Sequence, residues 1–402
     1  MYNIDSDILI IGAGLTGTAL LLALRDSPLK VTLVDNAPAP LPTINTSLNI
    51  RSIALSPSSQ RILHSIGKWS TLAPHATPIQ HIDISEQYNF GRSTLNATHN
   101  DALGYVLEHA VLYQTLHQDL PPIYTQSPLR TLDPDTGIAT FDTPEGLLSI
   151  RAKCFIAADG SHSNIRRQLN IPYQKKAYEN PLLSATVQLK RPHQGVAYER
   201  FTSTGPLALL PLQQDKVSIL WSLPPERAVE LSQATTAVFL NALQKAFGYR
   251  LGRFDDVGKR HVVPLEFSQT EPITSHRKII FVGNAAHTLH PVAGQGFNLG
   301  LRDIATLAAL LLRHGVSADL CARYTKLRAE DHAQTVHWTE QILNTFKSRI
   351  PFAKLARSAG LLGVDLLPCL QQHIIQQGSG YGMAMPPDFA CGYFPGALPD
   401  ER

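Results

Sequence analysis

The glycine-rich segment Gly12-Ala13-Gly14-Leu15-Thr16-Gly17 constrains the fold of this chain more than any other feature of the sequence. It lies between an apolar run at residues 7–11 and a run of small and leucine side chains at residues 18–25, which predicts strand, turn and helix. A second apolar run at residues 30–35 ends in an acid, Asp35. This order predicts a βαβ unit and a parallel sheet.

The residue types in this unit suit a bound dinucleotide. Glycines at positions 12, 14 and 17 allow a tight turn and a close approach to a pyrophosphate, whose charge faces the helix start at Leu15 and Thr16. The Asp35 carboxylate can accept hydrogen bonds from a ribose. We therefore predict a dinucleotide site here; the alternative is a glycine-rich turn without a ligand.

Two later segments repeat the pattern of an apolar strand that ends in a polar turn. Residues 154–158 precede Asp159-Gly160, which alone would be an ordinary turn. Residues 279–282 precede Gly283-Asn284, and a Gly-Gln-Gly turn at residues 294–296 then begins a helix that continues to residue 312. The free amides at such a helix start suit a flavin ring that gathers negative charge.

Composition excludes several other classes of protein. The 402 residues carry 35 basic and 32 acidic side chains, a net charge of +3 without long blocks of one sign, so nucleic acid is not an expected partner. The four cysteines are too widely spaced for a zinc site or a disulfide framework, and we expect no metal and a reducing cytoplasm. No apolar run approaches the roughly 18 residues of a membrane span, which predicts a soluble or peripheral protein.

All three elements, in this order and at these distances, resemble the class A FAD-dependent aromatic hydroxylases, the para-hydroxybenzoate hydroxylase group. Three further stretches are similar to its ubiquinone-biosynthesis branch, in particular to the 2-octaprenyl-6-methoxyphenol hydroxylases: residues 51–56 (RSIALS), residues 198–211 and residues 248–260. The sequence departs from the wider family at Asn284, where Asp is usual, and at Asp35, where Glu is common.

The resemblance implies an α/β fold: a Rossmann-like, GR2-type FAD-binding domain with an inserted antiparallel-sheet substrate domain and C-terminal helices. We expect the FAD-binding domain at residues 1–85, 103–180 and 275–350. The substrate domain is expected at residues 86–102 and 181–274, and a helical segment and tail at residues 351–402. Alternating apolar runs at residues 183–189 and 217–223 independently predict the antiparallel sheet.

The resemblance also implies FAD as cofactor, NAD(P)H as electron donor and hydroxylation of a polyprenylated phenol by O2 through a C4a-hydroperoxyflavin. It assigns Arg51 to the FAD pyrophosphate, Asp159 and Gly160 to the dinucleotide, and Asn284 to the ribityl chain. The flavin ring would be surrounded by the following residues: Pro291, Gly294, Gln295, Gly296, Phe297 and Asn298. No acid or base residue is assigned.

A substrate with an apolar tail requires an apolar wall. The candidates are Phe201, Leu207, Leu209, Leu210 and Trp221, although the same residues would serve as sheet core. Residues 352–375 could lie at the inner membrane surface or pack on the FAD domain. Accessory ubiquinone-pathway proteins are possible partners, and the oligomeric state is open. Two alternative functions remain: a hydroxylase of a soluble aromatic acid or secondary metabolite, and a non-catalytic FAD-binding subunit.

Overall fold

The computed structural model describes residues 2–38, 51–97, 102–347 and 353–380. The strands are β1 Tyr2–Ile11, β2 Val31–Val34, β3 Ser52–Leu55, β4 Thr77–Ile79, β5 His81–Glu86, β6 Arg92–Asn96, β7 Gly104–Glu108, β8 Leu129–Asp133, β9 Ile138–Thr143, β10 Gly146–Ala157, β11 Tyr173–Ala177, β12 Leu182–Leu189, β13 Val196–Phe201, β14 Pro206–Leu212, β15 Lys216–Ser222, β16 Phe254–Val257, β17 His261–Val263, β18 Glu266–Thr270, β19 Thr274–Ser275, β20 Ile279–Phe281 and β21 His287–Thr288. The helices are α1 Leu15–Ala23, α2 Pro57–Ser65, α3 Trp69–Leu72, α4 His109–His117, α5 Asn164–Gln168, α6 Pro225–Gln233, α7 Thr236–Phe247, α8 Gln295–His314, α9 Leu320–Lys347, α10 Ala353–Leu366 and α11 Pro368–Ser379.

The first sheet assembles strands from three distant parts of the chain. Its order is β19-β20-β10-β1-β2, and the pairs β20/β10, β10/β1 and β1/β2 are parallel. The last four residues of β1 and of β10 are buried, as expected for parallel strands covered on both faces. The carboxyl ends of β1, β10 and β20 therefore meet at one edge of this sheet.

The second sheet has the order β16-β12-β15-β14-β13-β5-β6, with β17 also paired to β12. It is antiparallel except for the parallel pair β13/β5. Helix α7 packs its apolar side chains on one face of the sheet and forms a separate core with it. Because β5 belongs to this sheet, the domain boundary expected after residue 85 falls inside a strand, and residue 80 marks the change of sheet.

Apolar spacing alone predicts the wrong element in two places. Residues 106–116 have helical spacing, which predicts one helix, but they cover the end of strand β7 and most of helix α4, because β7 pairs with both β3 and β4 in a small third sheet. In the second domain the spacing predicts one helix, at residues 237–247, but helix α6 precedes α7 there. In both places tertiary pairing and turn chemistry decide what short apolar runs leave ambiguous.

The C-terminal helices close over the two sheets. Helix α9 crosses α8, and α10 packs on strand β6. The Arg357 guanidinium of α10 makes a bidentate ion pair with Glu86 at the end of β5, with Nε–Oε2 and Nη2–Oε1 distances of 3.0 and 2.6 Å. Across the described ranges, no helix is both long enough and apolar enough to cross a bilayer.

Candidate active site

The three glycine-bearing strand ends are in direct contact. The Ala158 amide donates to the carbonyl of Ile11 (2.8 Å), and the Val282 amide donates to that of Ala157 (3.0 Å). Gly12, at φ +110°, lies so close to the β10 end that an added Cβ would be 2.8 Å from the Asp159 nitrogen. The structure therefore brings Gly12, Asp159 and the start of the third element together at one edge.

The glycines of this edge are of two kinds. A Cβ at Gly17 would overlap the carbonyl oxygen of Gly12, so this glycine is required for helix α1 to pack against the turn. A Cβ at Gly14, Gly160 or Gly296 would meet no atom of the described residues within 4 Å. These three glycines border open space rather than protein, as a groove for a bound ligand requires.

Two helices point their amino termini at this space. Helix α1 begins after Gly14 and α8 begins after Gly294, and neither has a side-chain cap or an acidic residue in its first turn. The free amides and the positive end of the helix dipole are therefore not neutralised by the protein itself. Such termini suit an anionic pyrophosphate at α1 and a flavin ring that gains negative charge at α8.

The two predicted acids differ in their surroundings. Asp35 accepts hydrogen bonds from the amides of Ala13 and Ala37 and so braces the glycine turn. Asp159 accepts from the amides of Asn164 (2.7 Å) and Ile165 with Oδ2, while its buried Oδ1 has no partner within the described part of the chain. Burial raises the pKa of this carboxyl, although the Ser163 hydroxyl and the two amides act in the opposite direction. An orphaned carboxylate oxygen fits a site that a polar ligand completes.

Two histidines that the sequence did not single out support the turn. His117 of α4 lies 3.0 Å through Nε2 from the carbonyl oxygen of Ala13. His109, at the start of α4, lines the cavity described below, and its pKa is lowered by burial and by the charge of exposed Arg51. Arg51 is therefore near the dinucleotide end of the cavity, where a guanidinium could reach a phosphate.

The third glycine-bearing segment, which begins at Gly283, offers the cavity more backbone than side-chain atoms. Asn284 is exposed in a 3₁₀ turn and lines the cavity together with Pro291, Gly294, Gly296 and Phe297. Asn298 also lines it, but its amide is used by the protein, as Oδ1 accepts from Ser56 N and Ser59 Oγ and Nδ2 donates to the carbonyls of Ala54 and Gly294. The Asn298 side chain therefore fastens β3 to α8 and is not available to a cofactor.

Gln295 is expected to line the flavin ring with its backbone amide. Its side chain is buried, and it is not among the residues that line the cavity. Only its backbone, at the first position of α8, can face a flavin.

A fully buried ionic cluster contacts the third glycine-bearing segment. Asp303 of α8 accepts from Arg328 Nε (2.8 Å) and His332 Nε2 (2.6 Å) of α9 and lies 2.8 Å from His287 Nε2. A second acid of the cluster, Asp331, pairs with Arg302 Nε at 2.8 Å. His287 and Asp303 therefore act here in packing and hydrogen bonding, and the guanidinium of Arg328 supplies the positive charge that a metal ion would otherwise bring.

One cavity of about 760 Å³ extends from the dinucleotide turn to the C-terminal helices. At one end it is lined by Gly14, Leu15 and Thr16 of the turn, and in the middle by the start of α8 and by β3. Its far end lies between the second sheet and the helices α9 to α11, whose contributions are Trp338, Ile342, Phe346, Leu361, Ile374 and Ile375. The cavity is thus continuous from the predicted cofactor site to an apolar chamber.

The expected substrate wall is wrong for three of its five residues. Phe201, stacked on Phe346, and Leu210 line the chamber, but Leu207, Leu209 and Trp221 point to the opposite face and form the core under α7. The chamber is lined instead by Ala208 and Leu220, which are neighbours of these three residues in the sequence. Side chains of a strand alternate between faces, so a choice of apolar residues without a known register selects the buried face.

Glu199 is the one functional candidate in the chamber that the sequence analysis did not identify. It lines the cavity from β13, and burial raises the pKa of its carboxyl to about 7. The signal in the sequence is an acid between Ala197 and Phe201 on the same face of an otherwise apolar strand.

Comparison with known proteins agrees with this geometry. The chain matches the family described as FAD binding domain over residues 5–339. It is 30% identical to "Ubiquinone hydroxylase UbiL" of Rhodospirillum rubrum, with 93% of this chain and 90% of the relative covered. It is 28% identical to "3-demethoxyubiquinol 3-hydroxylase" of Escherichia coli, with 94% and 100% covered.

Solved structures share the fold. The p-nitrophenol 4-monooxygenase PnpA of Pseudomonas putida superposes with a TM-score of 0.76 at 17% identity, covering 96% of this chain and all of that one. The arrangement of sheets described above is therefore the fold that this solved structure also has. The chain belongs to the FAD-binding family.

Proposed function

We propose that this protein is an FAD-dependent monooxygenase that hydroxylates the ring of a polyprenylated phenol in ubiquinone biosynthesis. NAD(P)H would be the reductant and O2 the source of the oxygen atom. The single observation that carries the proposal is the continuous cavity, which joins the glycine edge to an apolar chamber. The curated relatives named above are ubiquinone-pathway hydroxylases, which supports the same reaction class.

The lining of the chamber favours a neutral, apolar substrate. Within the described part of the chain, the cavity is lined by no Lys and no Arg side chain. A hydroxylase of soluble aromatic acids needs a cation to hold the substrate carboxylate, because burying an unpaired carboxylate costs several kcal/mol. A phenol with a hydrocarbon tail carries no such charge and gains from burial of its tail.

The residues of this chain would bind, orient and exclude water. The amides at the start of α1, with Arg51 and Asp35, would hold the adenosine and pyrophosphate half of FAD, and Asp159, Gly160 and Asn284 would contact its remainder. Bound FAD supplies the oxygen-transfer chemistry. The backbone from Gly294 to Phe297, with Pro291, would surround the ring system, and Phe201 with Ala208, Leu210 and Leu220 would keep the substrate ring dry.

The C-terminal helices suggest where a long tail would leave the chamber. Leu361, Ile374 and Ile375 face the cavity from α10 and α11. Leu362 and Leu366 of α10, and Leu367 between the two helices, are exposed, Leu366 to 76%. We propose that this exposed ridge makes peripheral contact with a membrane surface, from which a tailed substrate is taken up.

The proposal is tested with the purified, FAD-loaded protein. A prenylated methoxyphenol and 4-hydroxybenzoate are compared for their stimulation of NADH and NADPH oxidation, O2 uptake and a product heavier by one oxygen. Hydroxylation of the prenylated phenol alone is expected. Turnover of the benzoate instead would favour a soluble-acid hydroxylase, and retained flavin without O2 uptake would favour a non-catalytic subunit.

A second experiment addresses the step in the pathway. Cells lacking the protein are analysed by mass spectrometry for the quinone precursor that accumulates. A methoxylated, polyprenylated ring that lacks one oxygen is expected. An unchanged quinone profile would contradict the proposed pathway role.

A further inference from the structure

We propose that Glu199 is the catalytic base that accepts the proton of the substrate's ring hydroxyl. The inference rests on the proposed function, since it concerns how a phenol would react in the chamber. It is carried by where the carboxyl lies, by what surrounds it and by the absence of a protein partner among the described residues.

Glu199 occupies the centre of an apolar row across the second sheet. It pairs with Ile84 on β5 and Ala208 on β14, and Ala208 pairs with Leu220 on β15. All four of these side chains line the cavity, and Glu199 is the only one of them that can take a proton. The row faces the same space as the start of α8, where the flavin ring is proposed to lie.

The carboxyl has no structural task that would account for it. Its buried Oε1 has no hydrogen-bond partner in the described ranges. The charges on the opposite face of the sheet satisfy one another: Arg92 and Arg250 pair with Asp83, and Arg200 donates to Ser85 and to a backbone carbonyl. A buried acid that costs stability and pairs with nothing points to a ligand that completes it.

The protonation behaviour is suited to this role. Burial alone raises the pKa of Glu199 to about 7, so both forms are populated at neutral pH. The other titratable groups that line the cavity in the described part of the chain are His109 and Tyr198, and the ring of Tyr198 packs against Phe247 on the far face. A base whose pKa is near the working pH is the most effective in proton transfer.

The proposed step balances as follows. When the ring carbon bonds to the transferred oxygen atom, the hydroxyl O–H bond breaks and its electron pair becomes the second bond of a ring carbonyl. The proton goes to Glu199 Oε1, and loss of the ring hydrogen later restores the aromatic ring. Under the proposed function O2 is the oxidant and NAD(P)H the two-electron reductant, with FAD as the carrier: the O–O bond breaks, one oxygen atom goes to the ring and the other leaves as water.

The kinetic test uses FAD-loaded Glu199→Gln and Glu199→Asp. The Gln variant is expected to keep its flavin but to hydroxylate a prenylated methoxyphenol about 100-fold more slowly, with reducing equivalents released as H2O2. The rate of hydroxylation by the wild type should rise with pH through about 7. The Gln variant should lack this rise, and the Asp variant should partly restore it. The Glu199→Gln substitution should reduce the rate less with a ring-fluorinated substrate, whose hydroxyl is more acidic. A merely structural role of Glu199 would not produce this difference.

A binding test is independent of turnover. A 4-nitrophenol with an alkyl tail is bound to the oxidised protein, and its ionisation is followed by absorbance as the pH is changed. The bound phenol should have a higher pKa in the wild type than in Glu199→Gln, because an ionised Glu199 opposes the phenolate charge. Asp255→Asn, an exposed acid on β16 of the same sheet, is the matched control and should leave that pKa unchanged.

The proposal would be overturned if the bound phenol had the same pKa in the wild type and in Glu199→Gln. It would also be overturned if the Asp and Gln variants lost the same activity with substrates of every acidity. If the wild type hydroxylates no prenylated phenol, the proposed function fails. The nitrophenol titration alone then decides whether Glu199 exchanges a proton with a bound phenol.

Discussion

The Asp303 carboxylate accepts a 2.6 Å hydrogen bond from His332 Nε2 at a point where neither side chain reaches solvent to any useful extent. Asp303 also binds Arg328 and lies within hydrogen-bond distance of His287, and the Gly283 amide lies 3.4 Å from its Oδ2. Burial by itself would raise the pKa of Asp303, but the charges around it hold that pKa well below its ordinary value. This acid therefore connects helices α8 and α9 to the glycine turn of the third element.

Asp303→Asn should lower the free energy of unfolding by about 3–5 kcal/mol, because it removes the Asp303 carboxylate that pairs with the buried Arg328 guanidinium. Urea unfolding at pH 7.5 measures the change. The control is Asp319→Asn, which removes the exposed ion-pair partner of Arg323 and should leave the free energy of unfolding almost unchanged. Similar losses in the two variants would contradict the account of the cluster.

The same cluster should make the protein sensitive to acid. Burial lowers the pKa of His332 in the folded protein, despite the opposing effect of Asp303, so the unfolded chain binds a proton at His332 more readily. Stability should then fall as the pH drops below about 6.5, the value of an unperturbed histidine. The stabilisation from Asp303 is present above its unfolded pKa and is lost only at much lower pH. The urea midpoint should fall less between pH 7.5 and 5.5 in His332→Asn than in the wild type.

Gly14→Ala should remove FAD without unfolding the protein. The added methyl meets no atom within 4 Å in the part of the chain that the structure describes, and Gly14 has an ordinary φ of −68°. The methyl therefore occupies the space assigned to the pyrophosphate. Gly17→Ala should instead destabilise the fold, because its methyl overlaps the Gly12 carbonyl oxygen. Flavin absorbance and thermal unfolding separate the two outcomes. A yellow Gly14→Ala protein with wild-type flavin content would refute the phosphate-turn assignment.

Sequence patterns predicted the first domain better than the second. The glycine turn and Asp35 have local signatures, since strand, turn and helix follow one another within a short segment. Which face of β14 and β15 meets the substrate depends on sheet register, a non-local property. Residues of both faces were therefore chosen: Leu210 lines the chamber, whereas Leu207, Leu209 and Trp221 were chosen in place of Ala208 and Leu220. Glu199 was overlooked for the same reason, because its environment exists only after β5, β13 and β14 have paired.

Ala208→Phe and Leu209→Ala test the two faces of one strand. The first adds a ring to the chamber and should abolish substrate-stimulated NAD(P)H oxidation while the melting temperature and flavin content change little. The second leaves a cavity in the core under α7 and should cost about 2–5 kcal/mol of stability. If Leu209→Ala blocks the substrate and Ala208→Phe does not, the assignment of the chamber is wrong.

Glu199→Gln should stabilise the ligand-free protein at alkaline pH. An acid whose folded pKa is raised costs stability wherever it is ionised in the fold, and the cost disappears below its unfolded pKa of 4.5. We expect a gain of about 1–2 kcal/mol at pH 8 that fades towards pH 4.5. Urea titrations of both proteins at several pH values provide the measurement. A variant less stable than the wild type at pH 8 would indicate that Glu199 has a structural partner.

The first sheet takes β1, β10 and β20 from positions separated by most of the chain, and this order limits when a flavin can be captured during synthesis. A nascent chain that has emerged only through the amino-terminal glycine turn carries the first of the three segments that form the binding site. The third segment becomes available only when the residues around Asn284 emerge. Pairing over such separations forms slowly. Cofactor loading is therefore an event of the nearly finished polypeptide, and truncated translation products of this gene should accumulate colourless.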